Sequence, residues 1–494
     1  MSSAPPSNTE RKTSVLRSAA LTVAMRWADR LIGFISTLIL ARLLVPDDFG
    51  IVAMCSLVIG LVDVLLDLGV GIALIQNRGA TILHYHTAWT LRLGQTTVGM
   101  MVVIIGAPLA AKYFGDPRLT IVLQVMSIGL FMAGLENIGV VDFQKKMRFG
   151  MDFKFAFSKR IVGFAITVVA AWLLRSYWAL VAGALASRVF GVVLSYLMHP
   201  MRPRLCLAKF REIFAVSQWM LARSTGLYLD ASLHRILVGG RDSAAVLGGY
   251  TLANDVSAMP ATELLAPLNR VLFPAFVRAS HDRRELRRLY LLAQGLQTLV
   301  AIPASVGLAM VAREAVPILL GEKWTFAVPF VQLLALASVV QAITTSGGYV
   351  LITLARVRQA AMLIWVQVAL FAALAFIAIP AAHALELAQL RLLTVVGGLS
   401  LAIGLLRRVL PEVSLMDVIR TIARPLLATA AMAAALFAVG NTLALPLAGM
   451  LILKIGVGLL VYSLSILLMW RLSGKPDGAE SYVLAASMRV LRRA

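Results

Sequence analysis

The chain is 494 residues long, 60% of its residues are hydrophobic, and only 14% are charged. A soluble protein of this size could not bury so much apolar surface, so the composition excludes a soluble globular fold. The formal net charge is +22, but the basic residues lie mostly in short loops between apolar stretches. That distribution is typical of membrane proteins and gives no reason to expect nucleic acid as a partner.

Apolar stretches of about 20 residues recur along the whole chain, as membrane-spanning helices require. They are continuous rather than alternating, which excludes a transmembrane β-barrel. We therefore predict an all-α integral membrane protein with about fourteen transmembrane helices. In chain order they lie near residues 15–44, 48–76, 84–112, 118–143, 155–175, 177–198, 214–240, 244–277, 288–313, 325–350, 357–379, 384–406, 420–442 and 447–470.

Loops rich in Lys and Arg alternate with loops that hold few of them. This bias predicts that the basic loops and both chain termini are cytoplasmic. An internal repeat accompanies the alternation. Ala111–Leu130 and Pro317–Val339 each carry an apolar residue, a glycine and an acidic residue before a long apolar stretch. An even number of spans separates them, so the two halves are predicted to be parallel repeats, as in several transporter folds.

The repeat and the span count together predict two pseudo-symmetric six-helix lobes around a central cavity, followed by two C-terminal helices. The predicted segments are a cytoplasmic N-terminal tail at 1–14, an N-lobe of six spans at 15–198, a basic cytoplasmic linker at 199–213, a C-lobe of six spans at 214–406, two accessory spans at 407–470, and a basic amphipathic cytoplasmic tail at 471–494.

Charged residues recur inside the predicted spans of both halves. Asp29 and Arg30 follow Arg26 by three and four residues and so share a helix face with it, and Asp67 follows Asp63 by four residues on one face. A charge at mid-bilayer costs about 2.5–3.5 kcal/mol, so this number of charges implies a polar, water-filled interior. Ion pairing can account for individual charges, but basic residues outnumber acidic ones. A cationic cavity favours an anionic ligand such as phosphate, which the planar guanidinium of arginine suits.

Signatures of other chemistry are missing from the sequence. There is no nucleotide-binding P-loop and no Ser/His/Asp motif, and His84 and His86 have no carboxylate or cysteine at ligand spacing. Cys55 lies in a span and Cys206 in a basic loop, so we expect no disulfide framework. We predict a transporter without catalytic residues, metal or cofactor, coupled if at all to a proton or sodium gradient.

Seven segments of the sequence have a distinctive pattern. They are LARLLVPDDFGIVAM at Leu40–Met54, DLGVGIALIQ at Asp67–Gln76, YFGDPRL at Tyr113–Leu119, QKKMRF at Gln144–Phe149, WALVAG at Trp178–Gly183, NRVLFPAF at Asn269–Phe276 and LLGEKW at Leu319–Trp324. These segments resemble the polysaccharide transporter family, the Wzx-type flippases of the multidrug/oligosaccharidyl-lipid/polysaccharide (MOP) exporter superfamily. The resemblance covers about residues 15–360, and the last third of the chain is less distinctive.

The resemblance implies a flippase of the bacterial inner membrane that moves an undecaprenyl-pyrophosphate-linked oligosaccharide from the cytoplasmic to the periplasmic leaflet. Exopolysaccharide, capsule or O-antigen synthesis would follow, with membrane lipids, a polymerase and chain-length or export proteins as partners. Candidates for binding the pyrophosphate are Arg26, Arg30, Arg223, Arg235 and Arg270, with Arg92 and Arg188 as further candidates. Candidates for ion coupling or charge pairing are Asp29, Asp63, Asp67, Asp230, Asp255 and Glu263.

Three alternatives remain open from the sequence. A cation-coupled multidrug exporter of the same superfamily should have an acidic cavity, which the surplus of arginines disfavours. A membrane polysaccharide polymerase or ligase should carry a sizeable periplasmic loop, whereas every predicted outer loop is short. A flippase for peptidoglycan precursors uses a similar anionic lipid, so the sequence hardly separates it from the favoured function.

Overall fold

A computed structural model describes residues 32–33, 35–67, 69–77, 79–214, 217–263, 265–443, 445–476 and 478–491. Within these residues the regular secondary structure is entirely helical. The predicted first span, 15–44, lies mostly outside them, and only residues 32–33 and 35–43 of it are described as helix.

The first half of the described chain contains nine helices after residue 43. They are α1 (Pro46–Leu66), α2 (Val70–Gln76), α3 (Ile82–Phe114), α4 (Arg118–Leu135), α5 (Val141–Lys145), α6 (Phe149–Leu174), α7 (Trp178–Met198), α8 (Phe210–Phe214) and α9 (Ser217–Arg241). A 3-10 turn, Ile138–Val140, precedes α5.

The second half of the described chain contains nine more. They are α10 (Ala244–Glu263), α11 (Ala266–Arg278), α12 (Arg283–Leu319), α13 (Val328–Thr353), α14 (Val357–Ala373), α15 (Ala384–Val409), α16 (Leu415–Thr442), α17 (Leu447–Leu472) and α18 (Ala479–Leu491). A 3-10 segment, Glu322–Ala327, leads into α13, and a π-helical turn, Leu374–Ala378, extends α14.

Eleven helices in the described part of the chain are long and apolar enough to cross a membrane. They are α1, α3, α4, α6, α7 and each helix from α12 to α17, and they coincide with eleven of the predicted spans. The predicted seventh and eighth spans are helical too. Helices α9 and α10 have 25 and 20 residues, so composition rather than length keeps them out of the apolar set.

The second predicted span, 48–76, is two helices in the structure. Helix α1 ends at Leu66 and α2 begins at Val70, and Gly69 between them adopts a positive φ of 61°. The Asp67 carboxylate accepts a hydrogen bond of 2.8 Å from the Gly69 N–H. Such a side-chain bond offers the backbone an alternative to the helix ladder, so the helix stops here despite its apolar flanks.

Two other predicted spans are also interrupted in the structure. In 118–143, α4 ends at Leu135, and the Asn137 side chain accepts the Gly139 N–H at 2.9 Å to start a 3-10 turn. In 244–277, α10 ends at Glu263 and α11 begins three residues later with Pro267 in its first turn. Proline is favoured at the first positions of a helix and cannot continue one that precedes it.

The VPDDFG segment, on which the family resemblance partly rests, forms the start of α1. Pro46 occupies the first helical position, where its missing N–H costs nothing. The Asp48 side chain is buried and accepts the Val45 N–H at 3.1 Å and the Tyr177 N–H at 2.8 Å. One carboxylate therefore both caps α1 and ties it to the turn before α7.

Asp47, next to Asp48, links the start of α1 to the turn between α3 and α4 through Arg118. Arg118 contacts the Asp47 carboxylate at 2.9 Å and the Asp116 carboxylate at 2.7 Å. Hydrogen bonds from Arg118 hold the pKa of Asp116, which lies in the turn between α3 and α4, below its ordinary value of 3.8. The YFGDPRL and VPDDFG segments thus form a single structural junction.

The two glycines of the predicted repeat occupy matching positions in their halves. Gly115 ends α3 with a φ of 69°, and Gly321 follows α12 with a φ of 108°. Side-chain-bearing residues rarely adopt these angles, so glycine is favoured at both turns. The duplication itself remains a prediction.

The chain divides into two compact units. Unit 1 contains the described residues up to Tyr228 together with Ser243–Ala245, and unit 2 contains Leu229–Asp242 and the described residues from Val246 onward. In unit 1, α1 packs on α3 and α4, and α6 packs on α7. In unit 2, α12 packs on α13, α16, α17 and α18. The predicted lobe boundaries remain a prediction.

Candidate functional site

Five of the predicted site residues cannot be placed as side chains. Arg26, Asp29 and Arg30 lie outside the described residues. Glu263 is the last residue of α10 and Arg270 lies in α11, but their side chains are outside the described part. The other eight are described. Seven of them fall into one group in each unit, and Arg223 lies in α9 within unit 1.

The group in unit 1 gathers charges from three helices. Asp63 lies near the end of α1, Asp67 follows that helix, Arg92 lies in α3 and Arg188 at the middle of α7. The charges that act on the Asp63 carboxylate are those of Asp67, Arg188 and Arg92. The structure therefore brings together four residues that the sequence had only placed on separate spans.

Packing positions two of these helices. The Gln95 amide donates a hydrogen bond to the Leu66 carbonyl, which holds α3, one turn beyond Arg92, against the end of α1. The stem of Arg188 runs over α4, because a Cβ added at Gly129 would lie 3.7 Å from its Cγ. The arginine stem and α4 are therefore in van der Waals range at Gly129.

Three arginines of unit 1 have guanidinium N–H donors that no described carboxylate occupies. Within the described residues, Arg92, Arg188 and Arg223 form no ion pair with a carboxylate, although Asp63 and Asp67 are exposed. Arg92 and Arg223 are half-buried and Arg188 is exposed. An arginine inside a span is costly unless it is hydrated or neutralised. Three guanidinium groups with unused donors are suited to bind an anion.

The group in unit 2 is organised around a paired arginine. Arg391 on α15 donates two hydrogen bonds to the Asp230 carboxylate on α9, at 2.8 and 3.0 Å. This bidentate geometry is the strong form of the interaction. Neither residue is fully buried, since the side chains are 16% and 24% exposed. Asp230 therefore forms an ion pair, and its partner Arg391 is not one of the candidates predicted from the sequence.

Next to this pair, Arg235 is held by its own helix. Its Nη2 donates to the Ala231 carbonyl at 3.2 Å and to the Ser232 hydroxyl at 3.1 Å. Its buried Nε has no hydrogen-bond partner among the described residues, and its charge acts on Asp255 of α10. Arg235 thus retains donors, like the arginines of unit 1.

Sequence reasoning missed two polar clusters in unit 1. The Glu136 carboxylate pairs with Lys159, and the Asp142 carboxylate accepts the Tyr85 hydroxyl and the Lys146 ammonium, the latter at 2.5 Å. The Glu136–Lys159 and Tyr85–Asp142 pairs join different helices or turns, and only the four-residue spacing of Asp142 and Lys146 was visible in the sequence. They neutralise charge rather than leave it available.

The helices and their charges define a class of protein: a multi-pass helical membrane protein with cationic groups inside its spans. The structure is similar to the lipid II flippase MurJ in an inward closed conformation, with a TM-score of 0.70 over 92% of this chain and 99% of that chain at 12% identity. It is also similar to an inward-facing MATE family transporter of the MOP superfamily, with a TM-score of 0.58 over 77% of this chain and 95% of that chain at 14% identity. The predicted fold class is confirmed.

The chain matches the family described as polysaccharide biosynthesis protein over residues 39–329, more than half of its length, and belongs to that family. The lipopolysaccharide biosynthesis protein WzxC of Escherichia coli (strain K12) is 27% identical over 334 residues, which are 66% of this chain and 67% of WzxC. The family resemblance noted in the sequence is therefore confirmed, and the fold is that of MOP transporters.

Proposed function

We propose that the protein is a flippase that moves an undecaprenyl-pyrophosphate-linked oligosaccharide from the cytoplasmic to the periplasmic leaflet of a bacterial inner membrane. Both termini are cytoplasmic in this proposal, and the protein works by alternating access. Membership of a polysaccharide biosynthesis family and the MOP fold support it. A polymerase and chain-length or export proteins would act on the translocated unit.

One observation carries the choice of an anionic lipid. Arg92, Arg188 and Arg223 lie in helices of unit 1 and form no ion pair with any described carboxylate. Pyrophosphate supplies the negative charge that such groups lack, and arginine binds phosphate oxygens through two parallel hydrogen bonds. Translocation breaks no covalent bond, so binding and release are all that these residues must provide.

The carboxylates beside the arginines give a means of coupling. The negative charge of Asp63 lies close enough to Arg92 and Arg188 to interact with them, and Asp67 lies close enough to interact with Asp63. While charged, they compete with a phosphate group for the arginines, and binding of a proton or sodium ion would end that competition. The affinity for the phosphate group would then differ between the ion-bound and ion-free states, and an ion gradient could drive transport through that difference.

A complementation experiment tests the proposal. In a strain that lacks the gene, we expect Arg188→Ala to reduce polysaccharide export by about tenfold to a hundredfold, because a hydrogen bond to a charged group contributes about 1.5–3 kcal/mol. Lipid-linked oligosaccharide should accumulate, as measured by mass spectrometry. Arg407→Ala, which removes an exposed arginine from the last turn of α15, is the matched control. Full export by Arg188→Ala protein at normal membrane levels would refute the assignment.

A peptidoglycan-precursor flippase is the second candidate, because the MurJ fold covers 92% of this chain. Mass spectrometry of the lipid that accumulates on depletion distinguishes the two. An undecaprenyl-linked repeat unit supports the proposed function, whereas a peptidoglycan precursor supports the second candidate. A multidrug exporter predicts no accumulated lipid and greater sensitivity to cationic drugs.

A further inference from the structure

A second basic site lies in unit 2, and none of the candidate residues lines it. The N-terminal turn of α18 and parts of α12 and α16 enclose a cavity of about 650 Å³. We refer to it as the tail pocket. Its volume is in the range of about 300–1,000 Å³ that is common for small-ligand sites. The residues that decide its chemistry are Arg287, Arg288, Arg420, Arg424, Glu480 and Tyr482.

The charge of the tail pocket is strongly positive. Four arginines line it, and the only carboxylate among its lining residues is that of Glu480, whose Oε1 lies 3.2 Å from the Arg424 Nε. The Nη1 of Arg424 is buried and has no hydrogen-bond partner among the described residues. A buried donor without a partner is unfavourable, so it marks a position where an acceptor would be stabilising.

The other three arginines of the tail pocket differ in whether they form ion pairs with carboxylates. Arg287 contacts Asp417 at 2.8 Å, and the largely exposed Arg288 contacts Glu285 at 3.4 Å. Arg420 is exposed and forms no ion pair within the described residues. Arg288 and Arg420 are therefore the groups most available to a ligand. The first turn of α18 adds the partial positive charge of a helix N-terminus.

The surroundings of the pocket are those of a membrane surface. Leu415, Met416 and Ile419 at the start of α16 are 43–53% exposed, close to the arginines at 420 and 424. On α18, Tyr482 and Met488 are 57% and 55% exposed. Tyrosine is enriched at the boundary between lipid and water, and a basic amphipathic helix lies in that boundary. The pocket is thus bordered by exposed apolar residues, which a bilayer would cover.

We propose that the tail pocket binds a phosphate group, and that an anionic membrane lipid presents it. Basic pockets between transmembrane helices on the cytoplasmic side are suited to phosphate-bearing headgroups. The exposed apolar residues of α16 would contact the acyl chains, and Arg288, Arg420 and Arg424 would contact the phosphate. The bound lipid would hold α18 against α12 and α16.

Native mass spectrometry of the full-length protein tests the proposal. The probes are phosphatidylglycerol and phosphatidylcholine, with inorganic phosphate in a separate arm. Arg288→Ala with Arg420→Ala removes the two available arginines and leaves the Arg424–Glu480 pair intact. Arg407→Ala with Arg408→Ala removes two exposed arginines from the end of α15 and is the matched control.

We expect the wild-type and control proteins to retain phosphatidylglycerol in preference to phosphatidylcholine, and the Arg288/Arg420 variant to bind it about tenfold less. Equal phosphatidylglycerol binding by all three proteins would overturn the phosphate site. Stabilisation by inorganic phosphate but not by phosphatidylglycerol, measured as the thermal unfolding midpoint, would overturn the lipid as its source. Export activity is a separate readout, so failure here leaves the proposed flippase function untouched.

Discussion

At the scale of single residues, burial decides what a charge does. Lys454 on α17 and Glu314 on α12 form an ion pair of 2.5 Å, with side chains only 8% and 10% exposed. The second oxygen of Glu314 is buried without a hydrogen-bond partner among the described residues. Such a pair adds little net stability over apolar residues, but the loss of one partner leaves a buried charge.

We expect Lys454→Met to lower the free energy of unfolding by about 3–5 kcal/mol, because Glu314 is left unpaired in an apolar site. Glu314→Leu combined with Lys454→Met should recover most of the loss. The measurement is the thermal unfolding midpoint in detergent. Arg313→Met, which changes the exposed residue next to Glu314, is the control and should have little effect. A double variant no more stable than Lys454→Met would contradict the expectation.

At the scale of elements, the basic segment predicted as a linker is attached to the start of α3. The Thr90 hydroxyl accepts the Cys206 N–H at 2.9 Å, and the buried Thr87 hydroxyl accepts the Lys209 N–H at 3.2 Å. These bonds provide acceptors for backbone N–H groups that have no partner in a helix or sheet of their own. Side chains at the start of α3 therefore hold this part of the segment.

Thr90→Val should loosen this attachment, because valine keeps the shape but removes the acceptor for the Cys206 N–H. We expect alkylation of Cys206, followed by mass spectrometry, to become about two- to tenfold faster, as the loss of one hydrogen bond predicts. The only other cysteine, Cys55, is fully buried. Thr97→Val is the control, because the Thr97 hydroxyl bonds the Leu93 carbonyl of its own helix. Unchanged Cys206 reactivity in Thr90→Val protein would show that the bond does not restrain the segment.

At the scale of the whole molecule, the distribution of basic loops predicts the orientation in the membrane. Alkaline phosphatase is active only outside the cytoplasm. We expect activity when it is fused after Asp116 or Glu322, and none when it is fused after Arg211 or at the C-terminus. The reverse pattern would refute the proposed orientation, and activity at all four positions would refute the number of spans between them.

Hydropathy predicts most of the helices because it depends on local sequence alone. The span at 84–112 corresponds to α3, whereas the interruption at Gly69 was missed, since one glycine barely changes the mean hydropathy of its surroundings. The pair of Arg391 and Asp230 could not be predicted, because 161 residues separate the partners and only helix packing brings them together. Likewise, the sequence predicted a surplus of arginines but not which of them remain unpaired.

Ser243–Ala245 belong to unit 1, although the residues before and after them belong to unit 2. This arrangement affects how the protein could be divided. A Cβ added at Gly50 would overlap the backbone of Ala244, so these three residues rest directly on α1 while the chain on either side belongs to unit 2. No single break in the polypeptide yields both units complete. Two genes that each encoded half of this protein would have to overlap around residues 229–245, or one product would lack part of its packing.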